Sequence, residues 1–291
     1  MDIQWYPGHM TKTRRQIQAD LKLVDLVVEV VDARIPRSSR NPDIDALVGE
    51  KPRIIMLNRA DQADPQMNRA WVQHFNKSQG IPAAAVDARS GDGVGQMAAL
   101  ARNALKEQMV KWREKGQVGR PIRAMVVGVP NVGKSTFINK VAGRKSAKAG
   151  DRPGVTRGKQ WVGAGSGLDL LDTPGILWPK FEDPKTGLHL AFTGAVKDEV
   201  MDAETLACGL AELLDRRYPQ ALVERYKVPP EAGEPGYVRL EQCARKRGFL
   251  ISGGEVDTER MAKILLDEFR GGKLGRFTLE SPEGEGEHGC E

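Results

Sequence analysis

The most specific motif of this chain is the octapeptide Gly128-Val129-Pro130-Asn131-Val132-Gly133-Lys134-Ser135. It matches GxxxxGK[ST], and it lies between the apolar stretch 123–129 and a helical pattern, the setting that gives this motif its meaning. Its glycines let backbone N–H groups turn inward around phosphates, and the helix N-terminus adds a favourable dipole. We therefore predict a phosphate loop, in which Lys134 reaches the β- and γ-phosphates and Ser135 binds Mg²⁺. A chance glycine-rich turn is the alternative.

Two further segments are predicted to complete a nucleotide and magnesium site. Asp172-Thr173-Pro174-Gly175 follows a second apolar strand, so the aspartate can hold Mg²⁺ through water and the Gly175 N–H can meet the γ-phosphate. Between the two motifs, Pro153-Gly154-Val155-Thr156 offers the Thr156 hydroxyl to the Mg²⁺ shell. Either tetrapeptide could instead be an ordinary turn.

Asn58-Arg59-Ala60-Asp61 follows the strand 53–58 and resembles the NKxD motif with which GTPases read guanine. A carboxylate accepts both hydrogen bonds from the N1–H and N2–H₂ edge of guanine, and adenine lacks such a donor pair, so Asp61 is the predicted specificity residue. Asn58 is expected to support the base and brace the phosphate loop. Arg59 replaces the usual lysine, whose stem packs on the base, and arginine has a comparable stem. The alternative is a turn at a strand end.

Asp87-Ala88-Arg89 follows the next predicted strand and occupies the place of the second base-contacting loop, with the Ala88 N–H expected toward guanine O6. Across all these motifs, the predicted nucleotide contacts are Asn58, Arg59, Asp61, Asp87, Ala88, Asn131, Val132, Gly133, Lys134, Ser135, Thr136, Thr156, Asp172 and Gly175, with Ser135, Thr156 and Asp172 as metal ligands.

The order of these motifs is unusual, because most GTPases carry the phosphate loop first and the base-reading motifs last. Here both base-reading segments precede Gly128. We therefore predict an α/β, circularly permuted P-loop GTPase domain with a mostly parallel sheet. The segment after Gly175 then runs directly into the C-terminal domain, so nucleotide state can reposition that domain.

Hydrophobic periodicity predicts alternating strands and helices in the first part of the chain, followed by a long irregular stretch to about residue 190. The predicted strands are 23–33, 53–58, 81–86, 123–129, 159–164 and 168–172, and the helices of the first part are about 64–79 and 93–115. From residue 198 the pattern is helical. We divide the chain into a GTPase domain (1–180), a small all-helical domain (190–278) that binds RNA or the ribosome, and a disordered acidic tail (280–291).

Charge points to an anionic partner. The chain has 44 Lys and Arg against 39 Asp and Glu, a net charge of +5, but the tail ESPEGEGEHGCE holds five of the acids and leaves a body of +10. Within residues 216–276, 13 bases face 9 acids. Basic clusters include Arg216-Arg217, Arg245-Lys246-Arg247, Arg270, Lys273 and Arg276, with others near the opening and in 143–159. Each cluster alone could equally be a solvated surface.

Other compositional features exclude several classes of protein. Three widely spaced cysteines exclude a dense disulfide framework and the usual zinc spacings. No apolar run approaches the ~20 residues of a membrane span, and the opening MDIQWYPGHMTK lacks a secretory signal core. We expect a cytoplasmic protein that does not bind membranes.

The motif order, the opening Gln4-Trp5-Tyr6-Pro7-Gly8-His9-Met10 and the loop GVPNVGKS resemble the bacterial ribosome biogenesis GTPase A family (RbgA/YlqF), over residues 1 to about 275. The resemblance implies a GTP- and GDP-binding, Mg²⁺-dependent hydrolase that binds the maturing large (50S) ribosomal subunit, with the C-terminal helices on ribosomal RNA. No DNA partner is expected, and the free protein is expected to be a monomer.

The catalytic group is not obvious from the motifs. Many GTPases place a water-orienting glutamine after the DxxG glycine, but Ile176 stands there, so intrinsic hydrolysis should be slow. The family resemblance implies His9 as the substitute, and a structural or RNA-contacting role is its alternative. With Lys134 of the phosphate loop and Thr156, His9 makes up the predicted set of catalytic residues. Asn131 resembles the residue that helps potassium-dependent GTPases hold K⁺, or it simply shapes the loop.

Two rival functions stay open at this point. One is a non-catalytic, nucleotide-gated RNA-binding module, and the other is an ATPase. Undetectable GTPase activity would favour the first, and preferential ATP binding would favour the second.

Overall fold

A computed structural model describes residues 8–143, 160–173, 175, 183–196, 201–231 and 233–283, with side chains from Arg15 onward. The strands are β1 (Leu26–Asp32), β2 (Arg53–Asn58), β3 (Ala83–Ala85), β4 (Ile122–Val127), β5 (Gln160–Ala164) and β6 (Leu168–Asp172). They form one sheet in the order β3-β2-β1-β4-β6-β5. Neighbouring strands are parallel except for the β5–β6 hairpin, which is antiparallel.

Helices cover the sheet and then form the C-terminal part of the chain. They are α1 (Gly8–Leu21), α2 (Pro42–Val48), α3 (Pro65–Lys77), α4 (Gln96–Ala104), α5 (Lys106–Glu114), α6 (Lys134–Ala142), α7 (Pro184–Phe192), α8 (Ala203–Arg217), α9 (Ala221–Tyr226), α10 (Gly236–Lys246) and α11 (Thr258–Arg270). In the described part of the chain, no helix has the length and apolar character needed to cross a lipid bilayer.

The central strands are apolar because helices cover both faces of the sheet. Every residue of β1 is buried, and β4 is buried apart from Arg123. All five parallel strands point the same way, so the loops that follow β1, β2, β3, β4 and β6 gather at one edge. The predicted α/β, mostly parallel sheet is confirmed, and the strand that leads into the phosphate loop lies inside it.

The C-terminal helices pack on one another through apolar faces. Leu206, Leu210 and Leu214 of α8 are buried, as the periodicity predicts, and α10 and α11 pack against this helix. Asp202 and Asp257 cap the N-termini of α8 and α11 by accepting hydrogen bonds from backbone N–H groups. The predicted helical character of this region is confirmed.

After α11, residues 274–280 return to the sheet as an extended segment, which we call the C-terminal strap. The Phe277 N–H donates to the Gln62 carbonyl at 3.0 Å, and the Leu279 N–H donates to the Arg34 carbonyl at 2.7 Å. Leu279 is fully buried. The strap therefore closes the edge of the sheet at which β1 and β2 end.

Our prediction that a disordered tail begins at Glu280 is wrong for that residue. Glu280 is buried, and its carboxylate accepts hydrogen bonds from the N–H groups of Arg37 at 2.6 Å and Ser38 at 3.1 Å, and from the Ser38 hydroxyl. His189 is also buried and contacts the same carboxylate through Nδ1 at 2.9 Å. Local composition could not reveal partners that lie 243 residues away.

Several helices also differ from the predicted pattern. The predicted helix over 93–115 is two helices, α4 and α5, which meet at the non-helical Leu105 (φ −108°, ψ 15°). Helix α7 lies in a stretch that we expected to be irregular, and α2 was not predicted. Asn41-Pro42 and Asp183-Pro184 begin α2 and α7 with a capping side chain followed by proline, which is a helix-start signal.

Substituting Glu280→Ala should lower the free energy of unfolding by about 2–4 kcal/mol, because it leaves the buried N–H and hydroxyl groups of Ser38 and the partly buried N–H of Arg37 without their charged acceptor. Urea denaturation of the full chain measures this. Glu283→Ala is the matched control, since that side chain is exposed, and it should change stability by less than about 0.5 kcal/mol. Equal stability of the two variants would contradict the anchoring role of Glu280.

Candidate functional site

The phosphate loop is a tight turn between β4 and α6 that only glycine can form at two points. Gly128 has φ 155°, and a Cβ there would clash with the Val30 carbonyl. Gly133 is left-handed (φ 96°), and a Cβ there would clash with the Asn58 side-chain amide. The loop therefore lies tight against the ends of β1 and β2, and it leads directly into the N-terminus of α6.

Lys134 lies inside this loop. Its side chain is buried, and Nζ donates to the Gly128 carbonyl at 3.1 Å and to the Val129 carbonyl at 2.9 Å. Burial lowers the pKa of Lys134 to about 8, against the attraction of Asp172, which raises it. The ammonium is thus held where the main chain of the loop curves around it.

Ser135 and Asp172 form the described part of the predicted magnesium site. The Ser135 hydroxyl donates to Asp172 Oδ2 at 3.2 Å, and Asp172 is fully buried at the end of β6. The next residue, Thr173, donates from its hydroxyl to the Val126 carbonyl at 2.7 Å, which ties the end of β6 to β4. Hydroxyl and carboxylate oxygens are ligands that Mg²⁺ accepts, so these residues fit the ion. Thr156 lies outside the described residues.

Gly175 approaches the phosphate loop so closely that a side chain would not fit. A Cβ there would lie 2.8 Å from Pro130 Cα and 3.0 Å from Lys134 Nζ. Gly175 therefore lies beside the phosphate loop, and its predicted contact with the γ-phosphate stays a prediction. Ile176 lies outside the described residues, and Thr136 is exposed in the first turn of α6.

Asn58 joins the phosphate loop to both base-reading segments. Its Nδ2 donates to the Val132 carbonyl at 2.8 Å, and its Oδ1 accepts from the Ala88 N–H at 3.0 Å. The side chain is buried, so both hydrogen bonds are shielded from water. Asp61, three residues later, is exposed at the rim of the same site.

The Asp87 loop differs in one respect from the prediction. We expected the Ala88 N–H to face guanine O6, but in the structure it donates to Asn58. Asp87 accepts from the N–H groups of Arg89 at 2.7 Å and Ser90 at 3.1 Å. Although partial burial acts in the opposite direction, hydrogen bonds from Ser90 and Arg89 lower the pKa of Asp87. Asp87 therefore shapes this turn.

Arg59 also differs from the predicted base-stacking role. It is left-handed (φ 63°), and its Nη2 donates to the Asn131 carbonyl at 2.8 Å. Its Nη1 donates to the Arg270 carbonyl at the end of α11, at 3.3 Å. The guanidinium thus bonds to the phosphate loop and to the C-terminal helices.

Asn131 is left-handed as well (φ 58°), and its side chain points to the C-terminal part of the chain. Its Nδ2 donates to the Gly194 carbonyl at 2.7 Å, just after α7. The amide nitrogen of Asn131 is thus engaged by a main-chain carbonyl, which is compatible with a role in shaping the loop. His9 lies in α1, and its side chain is outside the described residues.

The sequence reasoning missed the segment that follows β1. Asp32 and Arg34 form a buried ion pair at 2.7 Å, and Arg34 Nη1 donates to the Phe269 carbonyl at 3.2 Å. Although burial acts in the opposite direction, the Arg34 guanidinium lowers the pKa of Asp32. A signal was available, because Asp32-Ala33-Arg34 repeats the Asp-Ala-Arg of residues 87–89 at the end of another parallel strand.

Comparison with known proteins agrees with this geometry. A family model described as "50S ribosome-binding GTPase" matches residues 123–214. The chain is 47% identical over 287 residues to ribosome biogenesis GTPase A of Bacillus cereus, covering 99% of this chain and 96% of that one. The chain belongs to the ribosome biogenesis GTPase A family. It is accordingly a GTPase, and it binds GTP and GDP.

Two solved structures of family members share the fold. The GDP-bound structure of TM YlqF has a TM-score of 0.68 and 31% identity, covering 92% of this chain and all of that one. GNP-bound YlqF from T. maritima has a TM-score of 0.64 and 30% identity, covering 94% of this chain and 99% of that one. The circularly permuted P-loop GTPase fold is therefore confirmed.

The affinity for GDP should fall about tenfold between pH 7 and pH 9, because the phosphates attract the ammonium form of Lys134 and that form is lost as the pH rises through about 8. Titration with a fluorescent GDP derivative measures this slope. The Lys134→Gln variant should bind more weakly at every pH, and its slope gives the contribution of guanine ionisation alone. If both proteins have the same slope, Lys134 does not bind in its charged form.

Proposed function

We propose that this GTPase binds the maturing large (50S) ribosomal subunit in its GTP form and hydrolyses GTP to GDP and phosphate during late ribosome assembly. The observation that carries the proposal is the hydrogen bond from Asn131 of the phosphate loop to the Gly194 carbonyl, which joins the nucleotide site to the C-terminal helices. The names of the relatives and of the matching family model support the ribosomal partner.

The nucleotide contacts proposed here follow the two groups of loops. Asp61 reads the guanine edge from the exposed rim, and Asn58 keeps the base loop and phosphate loop in register. The phosphate loop from Asn131 to Thr136 wraps the phosphates, where the Lys134 ammonium balances their charge. Its bonds to two loop carbonyls support this role, because they hold Nζ at the centre of the loop.

Mg²⁺ is the ion that such a site typically takes, and we propose Ser135, Asp172 and Thr156 as its ligands. When bound, the ion supplies positive charge to the phosphate oxygens. The chain's own contribution is to hold the Ser135 hydroxyl against the buried Asp172 carboxylate, at 3.2 Å, before any phosphate arrives. Preorganisation of this kind reduces the cost of ordering ligands around the ion.

We further propose that His9 orients or deprotonates the attacking water and that Asn131 helps to hold a K⁺ ion beside the phosphates. Neutral imidazole accepts a proton near pH 7, and a cation in this position supplies charge where an arginine otherwise would. The bond from Asn131 Nδ2 to Gly194 engages the amide nitrogen, so it is the amide oxygen that would contact K⁺.

The proposed division of labour is a GTPase domain over residues 1–180 and a helical domain over 190–278 that contacts ribosomal RNA. Arg216, Arg245 and Lys246 are exposed and suit phosphate contacts. Arg270 and Arg276 do not, because their guanidinium groups donate to main-chain carbonyls of Ala191 and Ala63. We therefore place the RNA surface on the exposed sides of α8 and α10.

The proposed partner also indicates where in the cell the protein acts. Bacterial ribosomes are assembled in the cytoplasm, and we propose that this chain acts there. We also propose that it is a monomer when it is not bound to the subunit. We propose no DNA and no membrane partner. Binding through RNA phosphates would weaken steeply with added salt.

Sedimentation with 50S subunits tests the proposal. The wild-type chain should co-sediment with a non-hydrolysable GTP analogue and stay in the supernatant with GDP. Asp61→Asn is the sharpest variant, because its amide NH₂ donates to the C2 carbonyl of xanthine but opposes the N2–H₂ donor of guanine, where the carboxylate of Asp61 accepts. It should co-sediment with the xanthine analogue and not with the guanine one.

Two outcomes would overturn this function. Equal co-sedimentation with the GTP analogue and with GDP would mean that the chain binds the subunit but that the nucleotide does not control this binding. Stimulation by 50S subunits that is absent for GTP but present for ATP would make the protein an ATPase in the ribosomal context.

Subunit-stimulated turnover tests the catalytic proposals. His9→Ala should lower the stimulated rate at least about hundredfold and leave GTP affinity unchanged, since general base catalysis is worth about that much. Full stimulated turnover of the His9 variant would remove His9 from the mechanism.

The choice of salt tests the potassium proposal. Turnover of the wild-type chain should be faster in KCl than in NaCl at equal ionic strength. Equal rates in the two salts would remove K⁺ from the mechanism.

A further inference from the structure

Two helix ends meet at the phosphate loop. Helix α7 ends at Phe192 and α11 ends at Arg270, so the last carbonyls of both helices need donors from elsewhere. Such ends carry a partial negative charge and favour cations. Arginine side chains provide the donors here.

The contacts form a closed ring that begins and ends at Asn131. Arg59 Nη2 donates to the Asn131 carbonyl, and Arg59 Nη1 donates to the Arg270 carbonyl. The Arg270 side chain then donates to the carbonyls of Ala191 at 2.9 Å and Phe192 at 3.1 Å. Asn131 Nδ2 completes the ring at Gly194.

We propose that Arg59 is a positioning residue that couples the phosphate loop to the end of α11. A guanidinium has two terminal nitrogens in a fixed plane and can bond to two separate carbonyls, whereas a lysine ammonium donates from one point. The arginine in place of the usual lysine of the base-reading motif can therefore contact the phosphate loop and the C-terminal helices at the same time.

The surroundings of the Arg59 guanidinium restrict its movement. The Arg59 side chain is 23% exposed, and its Nε lies 3.7 Å from the buried carboxylate of Asp32. Desolvation and the nearby Arg34 lower the pKa of Arg59, whereas Asp32 raises it. A charge held in this way has few alternative positions, so a shift of the Asn131 carbonyl is transmitted to the Arg270 carbonyl.

Hydrogen exchange of the full chain, followed by mass spectrometry, tests the coupling. The inference rests on the proposed binding of the nucleotide at the phosphate loop. The exchange rates of the amides in 128–135 are therefore measured as well. The readout for α11 is the group of amides that close its end: Gly271 donates to Asp267, Gly272 to Phe269 and Lys273 to Glu268. A saturating GTP analogue should slow exchange of the wild-type chain at both places.

Arg59→Lys should keep binding the analogue within about threefold of wild type, because the bond to the Asn131 carbonyl is retained. It should still show slower exchange in 128–135, but the nucleotide-dependent difference at 271–273 should disappear. Arg34→Lys is the matched control. Arg34 also donates to the Arg270 carbonyl, at 3.4 Å, but in the structure it bonds to Asp32 and not to the phosphate loop.

The control variant should therefore exchange faster at 271–273 in every state and keep the difference between states. The coupling role is overturned if Arg59→Lys retains the wild-type difference at 271–273, or if the wild-type chain shows none. If the nucleotide fails to slow exchange in 128–135 of the wild-type chain, the proposed nucleotide placement fails together with the inference.

Discussion

Five of the six described strands run in the same direction, and the positions of the loops at the nucleotide site follow from this. Parallel strands end at the same edge, so segments that are far apart in the chain become neighbours without further contacts. That edge collects the turns after Asp32, Asn58, Ala85, Val127 and Asp172. The side-chain amide of Asn58 then fixes their spacing, because it bonds to the turn after β3 and to the turn after β4 at once.

Much of this arrangement could be predicted from the sequence, because the parts that succeeded are local. The strand before Gly128, the turn glycines and the strand that ends at Asp172 can each be recognised from neighbouring residues alone. Circular permutation could be inferred from the order of motifs alone, since a sheet of given topology can be closed from different termini. The helical faces of α8 and α11 were readable from their period.

The parts that failed depend on contacts between distant segments. Glu280 belongs to a stretch with the composition of a solvated tail, yet its carboxylate is buried against the loop after β1. Arg270 and Arg276 belong to a basic cluster, yet both satisfy carbonyls at the nucleotide edge. No window of the sequence distinguishes an arginine that meets RNA from one that caps a helix end, because both need the same side chain.

The C-terminal strap has a consequence for the folding kinetics of the nucleotide site. Leu279 pairs with Arg34, and Phe277 pairs with Gln62, so the first half of the sheet obtains part of its covering from a segment far later in the chain. Contacts of such long sequence separation carry a large loop-closure entropy and slow folding. The edge that collects the nucleotide loops is consequently completed in a late step of folding, after the helices that precede the strap are in place.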